Sequence, residues 1–237
     1  MHRPAGVIFD LGGTVLHQEW LSLVAGSKKV LEFAEITPDL TPEEIQLVAD
    51  EINVEVNRIR DESMVEFGTQ SFQRLLYEHL DISFSIGFPE TEREFWNAAV
   101  VYSPSEGIFD VLDLLDKHQI RTGILSNSSF TGVVLEEELA KHNLAHRFSF
   151  LISSIDYGFR KPHKRLFQVA VRKMNLEPQD IWFVGDKLEY DIRGAIDSGL
   201  YPVWYNPENK PGEIDGEYLV VRNWQEFREK IESLCGR

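Results

Sequence analysis

The sequence predicts an α/β protein with a three-layer core around a parallel sheet and an all-helical domain inserted after the first strand. Two observations support this fold class. Short apolar runs end in small or acidic residues and are followed by helical patterns, which is typical of buried parallel strands alternating with helices. Between Leu21 and Val100, by contrast, apolar residues recur only at helical spacing.

The composition is that of a globular protein and excludes several other classes. The 237 residues suffice for one large domain, or for one domain with an insertion. Hydrophobic residues make up 43% and charged residues 27%, which excludes a disordered chain. The formal net charge of −15 disfavours nucleic acid and anionic membranes as partners.

Targeting and cysteine signals are sparse. The single cysteine, Cys235, excludes an intramolecular disulfide framework. The first apolar run, at 7–9, is too short for a signal peptide, and no run approaches the ~20 residues of a membrane span. We therefore expect a cytoplasmic protein without a membrane partner, either a monomer or a homodimer.

The strands of the predicted sheet end at polar residues. The runs are 6–9, which stops at Asp10; 122–125, which stops at Ser126 and Asn127; and 181–184, which stops at Gly185 and Asp186. Ligands of parallel α/β sheets bind beyond the carboxyl ends of the strands. We therefore expect these polar residues to converge on one site.

The inserted segment has clear helix signals. Thr41, Pro42 and Glu44 form an N-terminal capping signature, and apolar residues then recur at helical spacing from Ile45 to Val56. Two further helices are predicted at 72–80 and 95–100. We expect an insertion of residues 17–100 on a core of residues 1–16 and 101–237, with hinges near 17–18 and 102–104.

Helices and strands alternate through the rest of the chain. Helices are predicted at 109–115, 133–140, 166–174 and 224–234, strands at 201–205 and 218–221, and a loop at 206–216. The acidic run 136–138 indicates a solvated helix face.

Four segments in this order resemble the four motifs of the haloacid dehalogenase superfamily, most of whose members are phosphatases. They are Asp10-Leu11-Gly12-Gly13-Thr14, Ser126-Asn127, Gly158-Phe159-Arg160-Lys161-Pro162 and Gly185-Asp186-Lys187-Leu188-Glu189-Tyr190-Asp191. The resemblance covers essentially the whole chain, and the helical insertion occupies the usual place of that family's cap domain. It implies a Rossmann-like core with a mobile cap.

The resemblance also implies roles for individual residues. Asp10 would be the nucleophile and, with Asp186 and the carbonyl of Gly12, would bind Mg²⁺. Ser126, Asn127 and Lys161 would hold the phosphate of a small phosphorylated metabolite. Asp191 would act through water or by orienting Lys161.

The chemistry of these residue types agrees with the implied roles. A carboxylate can act as nucleophile and metal ligand, and two carboxylates with a carbonyl and waters suit Mg²⁺. An ammonium in an extended segment before proline can neutralise a phosphoryl oxygen. Taken alone, Asp10 is better explained as a turn or helix-cap residue than as a nucleophile, and Ser126 is explained equally well as a helix cap. Lys161 taken alone is best explained as a surface lysine. Only the three together favour a functional site.

One position departs from the phosphatase pattern. Family phosphatases usually have a second aspartate two residues after the nucleophile, as general acid and base, and this chain has Gly12. General acid–base groups contribute ~10²–10⁴-fold. His17 and Glu19 are the nearest titratable candidates to replace the missing group, although each alone fits a solvated linker better.

Four hypotheses therefore remain open. The protein is a phosphatase with a substitute acid, a phosphatase restricted to good leaving groups, a hydrolase of carbon–halogen or carbon–phosphorus bonds, or a non-catalytic protein that binds a phosphorylated ligand or a partner. The retained site residues favour Mg²⁺-dependent hydrolysis of a small phosphomonoester through an aspartyl-phosphate.

Overall fold

The computed structural model describes residues 2–236, which form strands and helices that we number in chain order. The strands are β1 (Gly6–Phe9), β2 (Leu16–Leu21), β3 (Ala34–Ile36), β4 (Ser83–Phe84), β5 (Val100–Pro104), β6 (Arg121–Ser126), β7 (Leu151–Ser153), β8 (Ile181–Gly185), β9 (Tyr201–Tyr205) and β10 (Leu219–Val221). The helices are α1 (Leu23–Leu31), α2 (Pro42–Ser63), α3 (Thr69–His79), α4 (Phe88–Ala99), α5 (Ile108–Lys117), α6 (Gly132–Lys141), α7 (Ser154–Tyr157), α8 (Lys164–Met174), α9 (Arg193–Asp197) and α10 (Trp224–Cys235).

Six strands form the central sheet in the order β10-β9-β8-β1-β6-β7, and every adjacent pair is parallel. The last residue of β1, Phe9, lies opposite Ile124 of β6 and Val184 of β8. After β1 the chain builds β6 and β7 on one side and then β8, β9 and β10 on the other. The switch point of the sheet, where α/β folds bind ligands, is therefore at the end of β1.

Helices cover both faces of the sheet, as the three-layer prediction requires. Val7 and Phe9 of β1 pack with α5, α6 and α10, whereas Ile8 packs with α8 and α9. All three side chains have no exposed surface, because neighbouring residues of a strand point to opposite faces and both faces are covered. The predicted core helices are confirmed in α5, α6, α8 and α10, the two later strands in β9 and β10, and the loop at 206–216 as irregular chain.

The inserted domain is built mainly from α1, α2, α3 and α4 around a small apolar core. The predicted capping signature starts α2: Thr41 Oγ1 accepts from the Glu44 amide at 3.2 Å, and Glu44 Oε2 accepts from the Thr41 amide at 2.8 Å. The core is formed by Val30, Ile45, Ala49, Leu76, Tyr77 and Ile82. Within residues 2–236, none of the helices has the length and apolarity to cross a bilayer.

The insertion is not entirely helical, so the all-helical domain expected from the sequence is wrong in this respect. It contains the short antiparallel pair β3–β4, and β2 pairs antiparallel with β5 at its junction with the core. Five of the six residues of β2 are exposed, so the strand lacks the buried apolar residues that identify strands in a sequence. The two predicted hinges pair with each other in this ribbon, with His17 opposite Ser103 and Gln18 opposite Tyr102.

The acidic run on α6 is only partly solvated, contrary to the sequence interpretation. Glu136 is exposed, but Glu138 is buried against α4 of the insertion. Its carboxylate accepts a hydrogen bond from Trp96 Nε1 at 2.9 Å and pairs with Lys141 at 2.7 Å. The run was misassigned because a hydrogen-bond partner 42 residues earlier in the chain leaves no local signal.

Candidate active site

The polar residues predicted to converge do lie together, at the carboxyl edge of the central sheet. Asp10 follows β1, Ser126 ends β6, and Asp186 follows β8, the two neighbours of β1. Lys161 comes from the segment between α7 and α8. The parallel register of the three strands places their polar ends next to the switch point.

Lys161 connects two carboxylates inside the protein. Its Nζ lies 2.5 Å from Asp10 Oδ1 and 2.7 Å from Asp191 Oδ1, and it donates to the Leu125 carbonyl at 3.0 Å. Lys161 is 2% exposed, Asp10 7% and Asp191 1%. An ammonium with three such partners is held in one position, which gives the site a fixed positive charge beside the nucleophile candidate.

The charges of this cluster shift the pKa values of its members. Burial raises the pKa of Asp10 to about 7; Lys161 opposes this shift, and the neighbouring Asp191 and Asp186 carboxylates add to it. Burial also raises the pKa of Asp191. Burial acts to lower the pKa of Lys161, but the carboxylates of Asp10 and Asp191 outweigh this effect and raise the pKa above its ordinary value. The cluster has more carboxylates than cations, so it favours binding of an additional cation.

The acidic groups have the arrangement of a site for a hard cation. One carboxylate oxygen each from Asp10, Asp186 and Asp191 lies within 4.8 Å of the others. Asp186 Oδ1 is buried without a hydrogen-bond partner among residues 2–236, while Oδ2 pairs with Lys187 Nζ at 2.8 Å. A buried carboxylate oxygen that lacks a donor fits Mg²⁺, which prefers oxygen ligands.

Two glycines make room for these carboxylates. A Cβ at Gly185 would lie 2.3 Å from Asp191 Cγ, so only glycine lets that side chain pack beneath the strand end. Gly13 has φ +82, and a Cβ there would lie 3.0 Å from Asp186 Oδ2. Asp191 Oδ2 also accepts the Lys187 amide at 2.9 Å, so Asp191 is fixed by backbone and by Lys161.

The side chains of Ser126 and Asn127 have different surroundings. Ser126 is 5% exposed and lies with Asp10 in the wall of one cavity. The amide of Asn127 binds the backbone of Lys161: Oδ1 accepts its N–H at 2.7 Å, and Nδ2 donates to its carbonyl at 3.1 Å. The Asn127 side chain thus positions Lys161, a role that the sequence analysis did not anticipate.

The comparison with protein families agrees with this site. A profile described as haloacid dehalogenase-like hydrolase matches residues 4–199, which is most of the chain. The chain belongs to the haloacid dehalogenase-like hydrolases. The resemblance drawn from the motifs is thereby confirmed, and the protein is a hydrolase by family.

Relatives of this hydrolase include phosphatases and dehalogenases. It is 33% identical over 107 residues to a glyceraldehyde 3-phosphate phosphatase from Methanothermobacter thermautotrophicus, a match that covers 44% of this chain and 45% of that protein. It is 28% identical over 164 residues to an (S)-2-haloacid dehalogenase from Pseudomonas fluorescens, covering 68% and 70%. A HAD phosphatase structure from Thermococcus onnurineus matches with a TM-score of 0.67 at 20% identity, covering 98% of both chains. The chain thus covers less than half of the phosphatase it matches first.

The cavity that contains the candidate catalytic residues, the candidate active-site cavity, lies between the core and the inserted domain. It has a volume of about 390 Å³, and its wall includes Asp10 and Ser126 from the core and Arg60 and Trp96 from the insertion. A larger open cavity of about 790 Å³ lies beside it and is lined by Gly12 and Asp186 among others. A small organic phosphate fits the first volume.

The candidates for the missing acid lie in the larger cavity. His17 and Glu19 line it, and Glu19 Oε1 accepts a hydrogen bond from Ser103 Oγ at 2.5 Å. Tyr102 lines both cavities, and its hydroxyl is the nearest atom, at 3.9 Å, to a Cβ built on Gly12. From the sequence Tyr102 was assigned only to a hinge. It stands ninety residues from Gly12 in the chain, and the β2–β5 ribbon brings it close to the site.

Proposed function

We propose that this hydrolase cleaves a small phosphomonoester in a Mg²⁺-dependent reaction through an aspartyl-phosphate on Asp10. The observation that carries the proposal is the buried cluster in which Lys161 holds Asp10 and Asp191, beside the unpartnered oxygen of Asp186. The curated phosphatase relatives support the substrate class, a small phosphorylated metabolite.

The first step is attack on phosphorus by the carboxylate of Asp10. A bond forms between an Asp10 oxygen and phosphorus, the bond to the ester oxygen breaks, and the alcohol leaves as an alkoxide that must take up a proton. Lys161 neutralises phosphoryl oxygens and the nucleophile, and the Ser126 hydroxyl donates to the phosphoryl group. Mg²⁺ held by Asp10, Asp186 and the Gly12 carbonyl would act as a Lewis acid on the phosphoryl oxygens.

The second step is attack of water on the aspartyl-phosphate. A bond forms between the water oxygen and phosphorus, and the bond from phosphorus to Asp10 breaks, which restores the carboxylate. One proton of the water passes to a phosphoryl oxygen or to solvent, and inorganic phosphate leaves. Asp191 keeps Lys161 in place through both steps, since it contacts Lys161 and not the cavity. The inserted domain excludes bulk water from the intermediate.

Gly12 makes the leaving group important. Without an aspartate there, the alkoxide must be protonated by water or by a group outside the first motif. We therefore propose that the enzyme turns over aryl phosphates faster than alkyl phosphates, because an aryloxide can leave without first taking up a proton.

The test is turnover of an aryl phosphate beside alkyl and sugar phosphates, with and without Mg²⁺, with early time points quenched to trap phosphoprotein. We expect Mg²⁺-dependent turnover, phosphate on Asp10, and a loss of at least about 10³-fold in Asp10→Asn. Asp39→Asn, which changes an exposed carboxylate of the insertion, is the matched control. Full turnover by Asp10→Asn contradicts the mechanism.

A second candidate is cleavage of a carbon–halogen or carbon–phosphorus bond. Gly12 supplies no proton, halide needs none, and a dehalogenase is among the relatives. Activity on a 2-haloacid or an alkylphosphonate, with silence on every phosphate ester, would select this candidate. Silence on all substrates, with Mg²⁺-dependent binding of phosphate, would indicate a non-catalytic member that binds phosphorylated ligands.

A further inference from the structure

Two arginines from different domains line the candidate active-site cavity and share one buried glutamate behind its wall. Arg60 belongs to α2 of the insertion, and Arg160 precedes Lys161 in the core. Arg60 Nε lies 3.0 Å from Glu66 Oε1, and Arg160 Nη1 lies 3.0 Å from both Glu66 oxygens. Ser154 Oγ donates to Glu66 Oε2 at 2.6 Å, so this carboxylate is fully used.

The group of Arg60, Arg160 and Glu66 has one positive charge in excess. The Glu66 side chain has no exposed surface, and the side chains of Arg60 and Arg160 are 17% and 22% exposed. Burial and the neighbouring Arg160 act to lower the pKa of Arg60, against the opposing effect of Glu66. A partly desolvated guanidinium without its own counterion is costly, and an incoming anion removes that cost. The excess is local, because the chain as a whole has a formal charge of −15.

The two arginines face the space that the substrate must occupy. Both line the cavity that also contains Asp10 and Ser126. Arg60 in addition lines a second cavity of about 240 Å³, which the insertion forms together with Ser129 and Phe130 of the core. The organic part of a phosphomonoester that fills the first cavity, with its phosphoryl group at Asp10, would contact this pair.

We propose that Arg60 and Arg160 form a second anion subsite, which binds a carboxylate on the organic part of the substrate. The inference rests on the proposed phosphatase function and names its substrate class: phosphate esters of hydroxy acids. A guanidinium fork matches a carboxylate in shape. One excess positive charge matches the single charge of a carboxylate better than the charge of about −1.5 to −2 on a second phosphate.

The experiment uses esters that differ in one group. 3-Phosphoglycerate has a carboxylate where glycerol 3-phosphate has a hydroxymethyl group, and glycerol 1,3-bisphosphate has a phosphorylated hydroxymethyl group there instead. We expect kcat/KM to be roughly 10- to 100-fold higher for 3-phosphoglycerate than for glycerol 3-phosphate, as for hydrogen bonds to charged groups. A ratio near one, or a preference for the bisphosphate, overturns the carboxylate subsite.

Variants of Arg60 assign the preference to this pair. Arg60→Gln should bring the ratio of kcat/KM for 3-phosphoglycerate to that for glycerol 3-phosphate towards one, chiefly by raising the KM for 3-phosphoglycerate. Arg60→Lys should give a ratio between those of Arg60→Gln and the wild type. Arg58→Gln, an exposed arginine on the same helix, is the control and should keep the wild-type ratio. An unchanged ratio in Arg60→Gln and Arg60→Lys overturns the proposal, and so does an equal loss on both esters, which would assign Arg60 to the phosphoryl group.

Binding measurements distinguish a failure of the proposed subsite from a failure of the proposed phosphatase reaction. In Asp10→Asn, which cannot form the intermediate, calorimetric titration should show tighter binding of 3-phosphoglycerate than of glycerol 3-phosphate, and Arg60→Gln should abolish the difference. Preferential binding without turnover of any ester would refute the phosphatase and keep the subsite. Turnover with equal binding of the two esters would keep the phosphatase and refute the subsite.

Discussion

Gly12 is the residue at which the first motif departs from the phosphatase pattern that the resemblance implies, and the structure leaves room for a Cβ there. A Cβ at this position meets nothing closer than the Tyr102 hydroxyl at 3.9 Å. We expect Gly12→Asp to raise turnover of alkyl phosphates, by up to ~10²–10⁴-fold, because the carboxyl group can protonate the alkoxide. The ratio of kcat for alkyl and aryl phosphates measures this effect.

The control for this change is Gly12→Asn, which has the same shape and no acidic proton. A gain in Gly12→Asp that Gly12→Asn does not reproduce identifies proton transfer. If neither variant gains on alkyl esters, the wild-type enzyme already has an acid, and Tyr102, His17 and Glu19 become the residues to substitute.

Asn127 has contacts that its predicted role in phosphate binding does not include. Its amide binds both backbone groups of Lys161, so Asn127→Ala removes two hydrogen bonds from the segment that positions the ammonium. We expect kcat on an aryl phosphate to fall about tenfold, and Asn127→Asp, which keeps the acceptor and loses the donor, to fall less. Steady-state kinetics of the two variants test this order, and an increase in KM alone would instead indicate direct phosphate binding.

The sequence predicts the reactive residues of the site better than the residues that support them. Asp10, Lys161 and Asp186 stand in short motifs whose order and strand context are visible without a structure. Arg60 lines the candidate site from the insertion, and Tyr102 approaches Gly12 from a part of the core that lies far along the chain. No local pattern identifies such partners, because only the fold brings them together.

At the scale of elements, α4 and α6 join the insertion to the core through Glu138. Burial acts to raise the pKa of Glu138, but hydrogen bonds from Lys141, Trp96 and His142 outweigh it, so the pKa lies below its ordinary value. A carboxylate with a lowered pKa stabilises the fold above its unfolded-state pKa, which is 4.5, and this contribution is lost as the pH falls through the folded-state pKa.

We expect Glu138→Gln to lower the free energy of unfolding by about 1–3 kcal/mol at pH 7, since charge-assisted bonds are lost at a buried acceptor. The difference from wild type should shrink as the pH falls below 4.5. Denaturant titrations at pH 7 and pH 4 measure both values. Arg93→Gln, which breaks an exposed pair with Glu137, should cost at most about 1 kcal/mol, and an equal cost in the two variants contradicts the role of burial.

Elements with strong local patterns were predictable, and short exposed ones were not. The apolar runs of β1, β6 and β8 and the periodicity of α2 and α8 reflect burial that each segment shows by itself. β2 is nearly all exposed, and β3 and β4 have only three and two residues, so their pairing depends on the chain around them. α1 and β7 were missed for a similar reason, since each packs by tertiary contacts more than by a periodic signal.

At the scale of the whole molecule, the insertion contacts the core at a second place besides the β2–β5 ribbon. Val65, in the turn between α2 and α3, forms an antiparallel bridge with Phe159. The Glu66 amide donates to the Gly158 carbonyl at 3.1 Å, and the Arg160 amide donates to the Met64 carbonyl at 2.8 Å. The bridge lies next to Lys161 in the chain, and we expect it to separate when the insertion moves about the hinge predicted in the ribbon.

A disulfide across this bridge tests whether opening is part of the catalytic cycle. Val65 and Phe159 form a pair of the type in which Cα atoms are about 4.5 Å apart, a spacing that a disulfide accepts. Cys235 is the one natural cysteine, so Val65→Cys with Phe159→Cys yields a single new pair. We expect oxidation to reduce kcat at least about tenfold, because substrate and product exchange require an open cavity, and reductant to restore it.

The two single variants, treated with the same oxidant, control for the loss of each side chain. The Phe159→Cys variant loses the stacking of the Phe159 ring on His163, whose ring centroids are 4.1 Å apart. A cross-linked enzyme that keeps full turnover would show that ligands enter without opening this bridge, and the larger cavity beside Gly12 would then be their route. Loss of turnover that reductant reverses in the double variant alone would make the opening of this bridge a step of the cycle.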